Sequence, residues 1–194
     1  MSMSTAPVPT SEIILRTKRL LLRPFRREDF PQFIPLIGAR EVAATTLRIP
    51  HPYTEADAEA FLKYVEDSRQ NGSAVRFVLF EENGSLCGGM GLHISHDHNH
   101  AEIGYWIGVP FWGKGYATEG ATALVEYGFK QLKLNRIFAG HYSNNPASGR
   151  ILRKLGMKYE GTHREHIQKW GEYLDVEMYA ILASEWHSRQ SDVK

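Results

Sequence analysis

The chain has 194 residues, 42% of them apolar and 23% charged, which fits one globular domain with a buried core and is short for two. Its 23 basic and 22 acidic side chains leave no global polarity that would point to nucleic acid or to a membrane surface. A single cysteine, Cys87, excludes a disulfide framework, residues 1–10 carry no signal-peptide pattern, and no run of about 18 apolar residues could span a membrane, so a cytoplasmic protein is expected.

Residues 1–12, rich in Ser, Thr and Pro, read as a loose tail ahead of a single domain over 13–190. Residues 20–25 read as a first strand. Asp29 is placed to cap a helix whose apolar face is Phe30, Phe33, Ile34 and Ile37, and Pro35, lacking an N–H, should shorten or kink it. Residues 38–53, with Pro50 and Pro52, are expected to form a loop. Thr54 then opens a helix with Ala58, Phe61, Leu62 and Val65 turned inward, and Asn71-Gly72 closes it. Residues 75–80 and 86–94 form a hairpin about Asn83-Gly84, and a strand from Ala101 extends the meander.

The stretch 101–133 organises the rest. Ile103, Tyr105 and Ile107 alternate with Glu102, Gly104 and Trp106 on opposite faces of a strand that Pro110 stops. Gly113 and Gly115 permit a tight turn, and from Tyr116 the residues Ala117, Ala121, Leu124, Val125, Gly128, Phe129 and Leu132 recur at helical spacing. A helix that begins at a glycine turn exposes its first N–H groups at the positive end of its dipole. Such a turn is either an anion cradle or an ordinary strand–helix connection. The Walker and Rossmann patterns are both excluded, because Lys114 lies between the glycines and Thr118 holds the place of a third glycine.

Residues 137–142 read as a further strand. Asn145 and Pro146 fit the N-cap and first positions of a helix that carries Ile151, Leu152 and Leu155 and stops at Gly156, and a last strand pair folds about Gly171. The order βααβββαβαββ gives an α/β fold with a mixed sheet of about seven strands flanked by helices.

Ile103-Gly-Tyr-Trp-Ile-Gly followed by Trp112-Gly-Lys-Gly-Tyr-Ala-Thr-Glu119 resembles the acetyl-CoA motif of the GNAT superfamily of N-acetyltransferases, and within it the RimJ/RimL branch of ribosomal-protein N-terminal acetyltransferases. The resemblance covers about residues 17–185. The superfamily pattern is Arg/Gln-x-x-Gly-x-Gly/Ala; Gly115 and Ala117 hold its last two fixed positions, and Trp112 stands where Arg or Gln is usual.

The resemblance implies a single-domain fold with splayed central strands, acetyl-CoA as cosubstrate, no metal, and a monomer or homodimer. The implied reaction is direct attack of a primary amine on the thioester in a ternary complex. The implied acceptor is a protein N-terminal residue. A small amine (antibiotic, polyamine or amino acid) is the rival, and a non-catalytic acyl-CoA sensor is a second class. By resemblance, the backbone of Trp106, Ile107 and Val109 lines the gap, an N–H near Ile107 polarises the thioester carbonyl, and Asn145 contacts the pantetheine arm. Trp112, Gly113, Lys114, Gly115, Tyr116, Ala117 and Thr118 form the pyrophosphate cradle.

By resemblance, Glu102, five residues before Ile107, where the superfamily often places a catalytic glutamate or a water-holding residue, is the candidate base; a solvated strand glutamate is the alternative. The tyrosine that many members use as an acid is matched here by Leu152. Ser148 matches the serine of the Rim-type pattern and is the candidate proton donor or water holder, or simply the third residue of a helix. An α-amine with pKa near 8 is appreciably neutral at pH 7 and a lysine near 10.4 is not, which favours low-pKa amines if the base is weak.

The end segment, Gly161 to Tyr179, resembles the Rim-type C-terminal hairpin, which forms one wall of the acceptor site there, and the resemblance makes Tyr173 and Asp175 acceptor-side candidates. Lys130, Lys133, Arg136, Arg150, Arg153 and Lys154 either gather near the phosphates or face water. His96 to His100 is expected to be a solvated hairpin rather than a metal site. Cys87 is expected to pack as a small apolar side chain, leaving no protein nucleophile.

Overall fold

The computed structural model describes residues 13–191, so the tail expected over 1–12 lies outside the described residues. Among the described residues eight strands form one sheet: β1 (Leu15–Arg16), β2 (Leu20–Arg23), β3 (Ala74–Glu81), β4 (Leu86–Ser95), β5 (His100–Ile107), β6 (Arg136–Tyr142), β7 (Lys158–Lys169) and β8 (Glu172–Leu182). Their spatial order is β1-β2-β3-β4-β5-β6-β8-β7. Six helices accompany them: α1 (Phe30–Ile37), α2 (Arg40–Ala44), α3 (Glu55–Gln70), α4 (Tyr116–Lys130), α5 (Pro146–Lys154) and α6 (Ala183–Ser191). The expected mixed α/β sheet is present, with one more strand than anticipated. The two-residue β1 is too short to show alternation, α2 lies inside the segment read as loop, and α6 follows the last strand directly.

Local chemistry explains the elements that the sequence announced. The Thr54 side chain accepts from the Asp57 N–H while the Asp57 carboxylate accepts from the Thr54 N–H, a reciprocal cap that starts α3. Asn145 starts α5 by accepting from the Ser148 N–H at 3.3 Å, with Pro146 at the first position. Gly156 closes that helix with φ +85°. Helix α1 contains Pro35 and runs only eight residues.

Helices cover both faces. Leu124, Val125 and Phe129 of α4 pack with Phe77, Leu79, Leu92 and Ile137 of the sheet and Trp186 of α6. On the opposite face Phe33 of α1 and Ala58 of α3 pack with Phe25, Val78 and Phe80.

Asp29 departs from its expected role. Its side chain does not cap α1. It is buried, takes two hydrogen bonds from the Arg23 guanidinium at 2.9 and 2.5 Å, and accepts from the Arg26 N–H at 2.8 Å. Asp29→Ala leaves Arg23 uncompensated, and a loss of about 3–5 kcal/mol in urea unfolding is expected, as for other broken buried pairs.

The feature that positions the site is the junction of β5 and β6, the sheet's one parallel pair among the described residues. Pairing there is confined to His100, Ala101 and Glu102 against Arg136, Ile137 and Phe138. Beyond it β5 runs on to Ile107 beside β4, and β6 runs on to Tyr142 beside β8. A wedge-shaped gap therefore opens in the middle of the sheet.

Candidate active site at the splayed strands

The glycine turn stands at the mouth of this gap. Gly113 and Gly115 have φ +77° and +82°, a left-handed backbone that side chains other than glycine rarely adopt. Among the described residues, no protein group accepts a hydrogen bond from the N–H groups of Gly113, Lys114, Gly115, Tyr116, Ala117 or Thr118; the first amide of this stretch with a partner is Glu119, bonded to the Gly115 carbonyl. Six consecutive free donors at the positive end of the 15-residue helix α4 are suited to a diphosphate.

The turn is braced from a distance. Arg19 donates to the Lys114 carbonyl at 3.0 Å, pairs with Glu119 at 2.6 Å and lies over the Tyr116 ring at 4.8 Å. Burial alone would raise the Glu119 pKa, but hydrogen bonds from Thr17 and Arg19 outweigh it and hold the carboxyl below its ordinary range. The Tyr116 hydroxyl donates to Glu81, which raises the pKa of the phenol.

The gap itself presents unpaired backbone. The Gly108 N–H bonds the Cys87 carbonyl at 2.9 Å. In an antiparallel pair the bonding residues alternate, so Glu102, Gly104, Trp106 and Gly108 direct their N–H toward β4. Tyr105 and Ile107 direct theirs into the gap. The Ile107 carbonyl is taken by the Trp112 indole N–H at 2.6 Å. Trp112 therefore ties the glycine turn to the end of β5 and supplies no cation.

A cavity of about 1360 Å³ joins the turn, the gap and the space under α1 and α3. Glu102 lies in it, exposed, its side chain making no ion pair or hydrogen bond to the described residues. Across the gap, the Tyr105 hydroxyl sits 2.8 Å from Ser148 Oγ. Burial of this phenol pushes its pKa up to about 12, so it stays protonated at neutral pH and can hold the serine. Leu152, at the place of the usual tyrosine acid, is fully buried. Cys87 is buried, its thiol directed at the Leu79 carbonyl at 3.4 Å, and burial pushes its pKa up to about 12, which suits packing rather than nucleophilic attack.

Most of the anticipated residues line this cavity: Glu102, Trp106, Ile107, Trp112, Gly113, Gly115, Tyr116, Ala117, Thr118, Asn145 and Ser148. Val109 and Lys114 do not. Val109 begins a short turn that lifts it out of the gap, and Lys114 lies over the Phe111 ring at 4.8 Å, facing Glu81 at 3.6 Å, so its ammonium is engaged away from the row of free amides. Tyr173 is exposed, and Asp175 accepts from the Glu165 N–H at 2.7 Å; that side of the cavity is lined instead by His163, His166 and Ile167.

Of the six basic residues, only Arg150 and Lys154 line the cavity. Lys130 pairs with Glu126, Arg136 with Glu160, and Arg153 donates to the Tyr179 hydroxyl. Among His96 to His100, His96 is 2.8 Å from the Gly72 carbonyl and Asn99 donates to the Lys133 carbonyl. No three His, Cys, Asp or Glu side chains among the described residues are grouped to hold a metal. No helix there is long and apolar enough to cross a membrane.

Comparison with known proteins agrees with the geometry. The family model for the acetyltransferase (GNAT) domain matches residues 19–158. The uncharacterized N-acetyltransferase YnaD of Bacillus subtilis is 34% identical over 175 residues, spanning 89% of this chain and 99% of YnaD. The ribosomal protein uS5-alanine N-acetyltransferase of Escherichia coli is 28% identical over 131 residues, 66% of this chain and 68% of that enzyme. The structure of spermidine N-acetyltransferase from Vibrio cholerae, in complex with CoA and spermine, superposes with a TM-score of 0.76 at 25% identity, over 87% of this chain and 98% of that one. The chain belongs to the GNAT family and is an acetyl-CoA-dependent acetyltransferase.

Proposed function

We propose that the chain acetylates a primary amine, a protein N-terminal residue or a small molecule, by direct attack in a ternary complex. The observation that carries this reading is the continuity of the free amides at Gly113–Thr118, the gap beside Ile107 and the cavity holding Glu102. Acetyl-CoA brings the acetyl group as a thioester. The amides of 113–118 hold the diphosphate, Asn145 and the edge of β5 hold the arm in the gap, and the Ile107 N–H donates to the carbonyl oxygen as charge develops there.

Glu102, directly or through one water, takes the proton of the attacking nitrogen as the N–C bond forms and the C–S bond breaks. Ser148, held by Tyr105, donates a hydrogen bond to the departing sulfur, which takes up its proton from solvent as Glu102 releases the one it gained. The relatives act on a ribosomal protein in one case and are named for spermidine in another, so they leave the acceptor open.

The test follows free thiol released from acetyl-CoA across N-terminal peptides, amino acids, polyamines and aminoglycosides. Release that depends on a primary amine supports the reading. Absence of release over the whole panel overturns it.

A further inference from the structure

The wall of the acceptor cavity carries a cation with no counter-charge. Arg76 of β3 lies over the Tyr64 ring at 4.8 Å and donates to the Tyr64 hydroxyl at 2.9 Å. No carboxylate among the described residues pairs with it, and its Nε is buried without an acceptor. Of the two acids lining the cavity, Asp57 is committed to the Thr54 N–H and hydroxyl at 2.7 and 2.6 Å. The other is Glu102, which stands in a different row of the sheet.

The register shows how Arg76 and the gap are connected. Three rows cross this face: His93–Glu102–Phe138, then Arg76–Gly91–Gly104, then Val78–Gly89–Trp106. The middle row is a trough floored by glycine. Gly104 is exposed with open space where a Cβ would stand, while a Cβ on Gly91 would meet the Arg76 Cγ at 2.9 Å, so the stem of Arg76 leans along the trough toward the gap. Strands are spaced by about 4.8 Å, so two steps from β3 to β5 set the Arg76 and Gly104 Cα atoms roughly 10 Å apart. An arginine side chain covers much of that span.

A partly desolvated guanidinium without a counter-charge in a cavity wall is costly unless an anion completes it. Resting on the amine-transfer reading above, we propose that the acceptor is an amino-carboxylate: its amine lies by Glu102 and the gap, its chain crosses Gly104, and Arg76 takes its carboxylate. The same cation repels a polyamine, whose several charges would find only Glu102 uncommitted among the acids lining the cavity.

The test compares kcat/KM by thiol release for α-amino acids against their amides, for a Ser-Asp against a Ser-Asn tetrapeptide (both C-terminally amidated), and for spermidine. The carboxylate member of each pair should be favoured by about 10- to 100-fold, the range of a charge-assisted hydrogen bond. The amino-acid and peptide arms tell a free metabolite from an acidic N-terminus. Arg76→Gln should raise KM for carboxylate acceptors by about that factor and leave the amides and the KM for acetyl-CoA unchanged. Arg76→Lys, which keeps the charge, should recover part of the preference, and thermal melting of both variants separates this from loss of fold.

Spermidine or the amides equalling the carboxylates, or an equal loss on every acceptor in Arg76→Gln, overturns the inference while leaving amine transfer intact. Absence of thiol release from every amine overturns the transfer reading and this inference with it.

Discussion

Gly115→Val is expected to weaken acetyl-CoA binding by about 10- to 100-fold, measured by titration calorimetry on the otherwise intact protein. The argument is conformational. Gly115 has φ +82°, and the nearest atom that a Cβ would meet is Arg19 Nη2, at an unstrained 3.5 Å. Valine therefore fits the space and not the backbone, where it costs about 1–2 kcal/mol. The turn can relieve that only by rotating the peptides on either side of residue 115, which turns the free amides of Lys114, Tyr116 and Ala117 away from a common focus. Each misdirected donor forfeits about 0.5–1.5 kcal/mol of diphosphate contact.

Gly84→Ala is the control. Gly84 has φ +83° with nothing within 4 Å, but it lies in the β3–β4 hairpin turn away from the cradle. It should lower stability by a similar strain and leave acetyl-CoA affinity unchanged. If Gly115→Val binds acetyl-CoA as the parent does, the amides of 113–118 are not the diphosphate site.

What the sequence disclosed divides by range of interaction. The start of α4 after Gly115, the opening of α3 at Thr54 and the Asn145-Pro146 opening of α5 were all legible, because each is decided within about four residues. The alternation of Glu102, Gly104 and Trp106 also gave the correct face of β5. Contacts made by folding were not legible. Arg19 braces the glycine turn from 95 residues away, and Tyr105 meets Ser148 across 43.

Arg76 gave no signal because its meaning depends on two glycines in neighbouring strands. The direction of the Lys114 side chain was not legible either: at a tight turn the side chain and the amide of one residue diverge, and the ammonium is directed at Glu81. Helix α2 was missed because five residues without a side-chain cap carry no periodic pattern.

Glu102→Gln should lower kcat by about 10²- to 10⁴-fold for acceptors with strongly basic amines while leaving the KM for acetyl-CoA unchanged. Glutamine keeps the size and the strand pairing, and the Glu102 side chain makes no ion pair or hydrogen bond to the described residues that folding would lose. The deficit should depend on both pH and amine. A base is needed in proportion to the fraction of amine that is protonated, so the loss should shrink as pH rises toward the acceptor's own pKa, and should be smaller for an α-amine near 8 than for a lysine near 10.4.

Ser148→Ala probes the other end of the reaction and should behave differently. A thiolate is already a far better leaving group than an amide nitrogen, so a loss of at most about tenfold is expected, and raising the pH should not restore it, since Tyr105 stays protonated. A flat pH dependence of the Glu102→Gln deficit, or a deficit equal for both amines, would remove Glu102 as the proton acceptor and leave it a carboxylate that only orders water beside the gap.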